Sequence, residues 1–82
     1  MTQVFDMIDR PIRVGDFVAF YSNVYKVLDV TPRRDKVDGH SYVKIILADP
    51  SKTTKPVKKY SREMCLIPAE EVTFWLLKRN KQ

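Results

Sequence analysis

A chain of 82 residues with 44% apolar and 11% aromatic side chains has room for one hydrophobic core and none for a second domain, and it is too apolar to stay disordered. Its one cysteine, Cys65, excludes an intramolecular disulfide and reads as a small apolar packing residue in a reducing compartment. The net charge of +5 favours polyanionic partners.

Met1 to Arg10 lack the basic start and apolar run of a secretory signal, and no stretch approaches the roughly 18 apolar residues of a membrane span. A cytoplasmic protein with no membrane partner is therefore expected. Placement of the charge says more than its total. Residues 1–32 hold three basic and four acidic side chains, residues 33–62 nine and three, and residues 63–82 three and three. The excess sits in the middle segment, on Arg33, Arg34, Lys36, Lys44, Lys52, Lys55, Lys58, Lys59 and Arg62.

Residues 1–13 read as a lead-in segment. Val4, Phe5, Met7, Ile8 and Ile12 are scattered among charges and interrupted by Pro11, so either a short helical turn or a mostly irregular extended path is expected. Gly15-Asp16 marks a turn, and Phe17 to Tyr21 follows as a strand with Val18 and Phe20 on one face. Ser22-Asn23 is a tight polar break, and Val24 to Val30 returns as the second strand of a hairpin.

Thr31 to Ser41 has the composition of an exposed loop. Tyr42 to Ala48 is the most apolar strand and is expected at the centre of the sheet, with Val43, Ile45 and Leu47 on one face. Asp49 to Pro56 is a second turn-rich connection, leading to Val57–Tyr60, whose lysines suit an exposed edge. Met64 to Ile67 is a last short strand. Pro68 opens a helix that runs to about residue 79, with Glu70 and Glu71 at its positive end and Lys78 and Arg79 at the other. Val72, Trp75 and Leu76 recur at helical spacing and should pack on the sheet, while Phe74 and Leu77 broaden the apolar surface. Short strands joined by hairpin-length connections hide their edges best by curling, so the fold class expected is mainly β, a small five-stranded barrel with a C-terminal α-helix.

The run Val14-Gly15-Asp16-Phe17-Val18-Ala19-Phe20, followed by Val24-Tyr25-Lys26-Val27-Leu28-Asp29-Val30, resembles the opening hairpin of SH3-like barrels of the KOW and Tudor type. The likeness covers roughly residues 12–67, with residues 14–67 as the barrel. It implies a binding module for RNA, DNA, ribosomes, RNA polymerase or peptides. The overall look, a tiny basic β protein without a catalytic signature, is also similar to small accessory proteins of T4-like tailed phages. That likeness implies a modulator of host transcription or translation in the host cytoplasm.

Catalytic and metal constellations are missing from the sequence. His40 is the one histidine, placed in a loop, and with Cys65 it leaves a structural zinc two ligands short. The two glycines, Gly15 and Gly39, fit no phosphate-cradling spacing. Asp6 with Asp9, and Glu70 with Glu71, read as solvated helix-terminal pairs, not as acid–base couples. No enzyme activity and no cofactor are expected.

The functional expectation rests on the basic middle segment. Arg33, Arg34 and Lys36 in one loop, with Lys52, Lys55, Lys58, Lys59 and Arg62 in the next connection and its strand, form a positive rim if the two loops share one end of the barrel. Tyr42 and Tyr60 beside that rim would stack on unpaired bases. A second reading assigns the lysines to edge protection and solubility. The partner is accordingly nucleic acid or a nucleic-acid-handling complex, bound by a monomer or weak homodimer. The rival reading is a protein-interaction module that docks through the barrel edge or through Phe74, Trp75 and Leu77, unless those side chains complete the core.

Overall fold

Period-two alternation builds most of this molecule. A computed structural model describes residues 3–32, 39–49 and 51–80, without the side chains of 78–80. Seven strands appear in chain order: β1 (Val4–Phe5), β2 (Pro11–Ile12), β3 (Phe17–Phe20), β4 (Asn23–Thr31), β5 (Tyr42–Leu47), β6 (Val57–Tyr60) and β7 (Cys65–Ile67). A 3-10 turn at Ser61–Glu63 joins β6 to β7, and another at Ala69–Glu71 leads into the helix α1 (Val72–Asn80). The fold is therefore mainly β with a short C-terminal helix. Five strands form one antiparallel sheet in the order β6-β5-β4-β3-β7, and β1 pairs with β2 separately.

Register sorts the side chains onto two faces. Pairs such as Val18 with Tyr25, Val27 with Ile45 and Val30 with Val43 lie on the inner face. There Val18, Phe20, Val27, Val43, Ile45 and Met64 pack with Val4 and Ile12. The other face carries Phe17, Ala19 and Val24, which with Ile67 are covered by Val72, Trp75 and Leu76 of α1. The expected helix face is thus the one that packs. Pro68 holds extended backbone just before the first turn, where its missing N–H costs nothing.

Two turns show why their residues are there. Gly15 sits at φ 96°, which strains any side-chain-bearing residue, and its amide donates to the Val27 carbonyl at 2.9 Å. The β3–β4 hairpin turns on Tyr21 and Ser22, both at positive φ as its two-residue loop requires, one position earlier than the Ser22-Asn23 break.

β5 lies inside the sheet, paired with β4 on one side and β6 on the other, as expected of the most apolar strand. Two other expectations are corrected. The lead-in segment is not irregular: β1 and β2 form a hairpin whose Val4 and Ile12 belong to the core. Asp6 is no solvated helix-end residue. Its side chain is fully buried and accepts from the amides of Ile8, Arg10 and Leu66 at 3.0, 2.8 and 2.8 Å and from Arg10 Nε at 3.1 Å. Arg10 in turn donates to the Leu66 carbonyl at 2.7 Å and to Cys65 Sγ at 2.9 Å, so the cysteine is a hydrogen-bond acceptor as well as a packing residue. Burial acts most strongly on the Asp6 carboxyl and would raise its pKa. The amide bonds from Leu66, Arg10 and Ile8, with the Arg10 charge, outweigh it and hold the pKa below the ordinary aspartate value.

Candidate nucleic-acid interface

Helix α1 covers the outer face over Phe17, Ala19 and Val24 and leaves its far half open. On that half, register places Thr31, Tyr42 and Tyr60 in one row and Asp29, Lys44 and Lys58 in the next. Lys26 lies on the same face, opposite Ile46. Three lysines therefore share this surface with one aspartate. Lys44 and Lys58 are direct cross-strand partners, and like charges so placed repel, which an anion lying between them would relieve.

The aromatic side chains continue the face. Tyr42 and Tyr60 have ring centroids 5.2 Å apart at 43°, and His40 stacks on Tyr60 at 4.4 Å and 24°. Lys58 Nζ lies 5.3 Å from the Tyr42 centroid, within cation–π range. Tyr42, Lys58, Lys59, Tyr60 and Glu63 line a shallow groove of about 300 Å³. The stack is held by the residues next to it. The Ser61 amide donates to the Ser41 carbonyl at 3.0 Å, and the two hydroxyls lie 2.6 Å apart, with Ser61 buried.

The sequence-derived site residues separate into groups. Tyr42, Tyr60 and Lys58 meet on the open face. Lys59 belongs to the inner face opposite Val43, where its ammonium lies 6.0 Å from the Phe20 ring centroid. Arg33, Arg34 and Lys36 lie outside the described residues. Lys52 and Lys55 do not share an end with that loop. The connection from β4 to β5 leaves at Thr31 and arrives at Tyr42, whereas the connection from β5 to β6 leaves beyond Leu47 at the opposite end of β5. Consecutive connections in an antiparallel meander alternate ends, so Lys52 and Lys55 follow the end of β5 opposite Tyr42.

Arg62 is drawn away to the β1–β2 hairpin. Its guanidinium bonds the Asp9 carboxylate, donates to the Asp6 carbonyl at 3.1 Å and lies 5.9 Å from the Phe5 ring centroid. Arg62→Ala is accordingly expected to lower stability by about 0.5–1.5 kcal/mol through lost packing and pairing. It should leave polyanion affinity unchanged. A denaturant melt beside a binding titration checks both, and a tenfold affinity loss would return Arg62 to the interface.

Compared with protein families, curated proteins and solved structures, the chain matches none.

Reasoning from sequence missed His40 and Lys44 as members of this face. His40 stands two residues before Tyr42 on the same parity, and Lys44 two residues after it, so alternation carried the signal. On the helix, Trp75 is half-buried against the sheet, while Phe74 and Leu77 are 68% and 57% exposed. Of the run Phe74 to Leu77, Trp75 and Leu76 pack on the sheet and Phe74 and Leu77 do not. Among the described residues no group of three His, Cys, Asp or Glu side chains is placed to hold a metal, and no helix is long and apolar enough to cross a membrane.

Proposed function

We propose that this protein is a non-catalytic binding module, an SH3-like barrel of the KOW and Tudor type, that holds nucleic acid on the open face of β4, β5 and β6. The strand order supports the barrel reading. Five flat strands would set β6 and β7 about 19 Å apart at roughly 4.8 Å per step. The five Cα steps from Tyr60 to Cys65 include the 3-10 turn and span roughly 13 Å, so the sheet has to curl. The β1–β2 hairpin meets the chain between β6 and β7, where the Met7 amide donates to the Met64 carbonyl at 3.0 Å.

The observation that carries the binding reading is the Lys44–Lys58 cross-strand pair beside two tyrosines on a face the helix leaves open. Phosphates need mobile cations without strict geometry, and the pair supplies two on a rigid sheet. Fluorescence anisotropy of a labelled single strand of about 20 nucleotides, between about 50 and 200 mM salt, tests it. The wild-type protein should bind with affinity that falls steeply with salt. The double variant Lys44→Gln/Lys58→Gln should flatten the log–log slope by about 1.4, near 0.7 per lost contact. Its melting temperature should change little, since the lost Lys44–Lys58 repulsion offsets the lost Lys44–Asp29 attraction and Lys58–Tyr42 contact. A slope that does not change would take these lysines out of the site.

The exposure of Phe74 and Leu77 favours one alternative, a module that docks on a protein through α1. That reading is the one left standing if no oligonucleotide binds at low salt.

A further inference from the structure

Resting on the nucleic-acid reading above, we infer that the ligand is unpaired nucleic acid and that a nucleobase adds to the ring ladder on the outward face of His40. The ladder runs Tyr42, Tyr60, His40, with the last pair near coplanar at 24° and 4.4 Å. It does no work for the core, which Val43 and Ile45 fill from the other face of the sheet. His40 is exposed and Tyr60 is 39% exposed, so ring surface faces solvent at the end of the ladder.

Two features make this a platform prepared for a ligand. Ser41 and Ser61, each next to a ring of the His40–Tyr60 pair, are joined by a backbone bond of 3.0 Å and a hydroxyl contact of 2.6 Å. These bonds fix the backbone that carries the two rings, which lowers the cost of placing them. Charge is also graded along the strands. Along the chain Lys44 and Lys58 lie on one side of the tyrosine row and His40 on the other, while Glu63 lines the groove beside Tyr42, Lys58 and Tyr60. A neutral base tolerates the carboxylate where a phosphate would be repelled, and the lysines take the phosphates. A duplex keeps its base faces stacked inside, so it offers the ladder nothing to extend.

Three probes at one ionic strength separate the possibilities: an oligothymidylate, an abasic oligomer of the same length with the same phosphates, and a duplex. The wild-type protein should hold the oligothymidylate at least about tenfold tighter than the abasic strand, as expected for one stacked base. It should favour it over the duplex as well. His40→Ala and Tyr60→Leu should bring that ratio toward one while affinity for the abasic strand stays within about twofold. Equal wild-type affinity for thymidylate and abasic strands overturns the stacking inference and leaves the polyanion reading in place. Failure to bind either strand removes both. If Tyr60→Leu does not fold, His40→Ala, an exposed position, decides alone.

Discussion

Asp6→Ala is expected to lower stability by about 2–4 kcal/mol, the effect of removing a fully buried carboxylate whose backbone donors are left unmet, while the partly exposed Arg10 keeps access to water. A domain of this length has roughly 4–12 kcal/mol in all, so the variant stands at the edge of unfolding. The carboxylate accepts three backbone amides and the Arg10 guanidinium, and every one of those donors loses its partner. Urea unfolding gives the magnitude. Amide exchange gives the place: Leu66 N–H, which donates to Asp6, should lose protection more than the amides of β5. The folded-state pKa is depressed, so this contribution is fully present above the ordinary aspartate value of about 3.9 and is lost as pH falls through the lower folded value. The stability gap between wild type and Asp6→Asn should therefore be constant from neutral pH down to about pH 4 and narrow below it. A gap that widens in acid would contradict the assignment.

Ile45→Ala should cost a comparable 2–5 kcal/mol, roughly, for a different reason. Ile45 has no exposed surface, pairs with Val27 across β4 and Val57 across β6, and belongs to the main core cluster. Truncation leaves a cavity that neighbours pinned in strands fill poorly. The loss should be global, with amides of β3, β4 and β5 all losing protection together and the dependence on pH unchanged from wild type. A cost below about 1 kcal/mol would mean the site collapses freely, against the close packing of such interiors.

The two variants also mark what a sequence can and cannot tell. The apolar core was legible in part because alternation in β3 and β5 puts Val18 with Phe20, and Val43 with Ile45, on one face of each strand whatever the register. The helix face of Val72, Trp75 and Leu76 followed from spacing in the same way. Asp6 was not legible, since its burial depends on Leu66, sixty positions away. Nor was the role of the hairpin, because Pro11 and the charges around it read as a break when the sheet they close against is unseen. The ring ladder of His40, Tyr60 and Tyr42 needed the pairing of β5 with β6, which no local pattern supplies. By contrast, the separation of Lys52 and Lys55 from the β4–β5 loop follows from antiparallel order alone and was within reach of the sequence.

The Asp6–Arg10 pair has one more effect. Leu66 offers its amide and carbonyl away from β3, and both are occupied, the first by Asp6 and the second by Arg10. A side-chain couple thus stands where another polypeptide would have to lie, so β7 cannot recruit a neighbouring strand at Leu66.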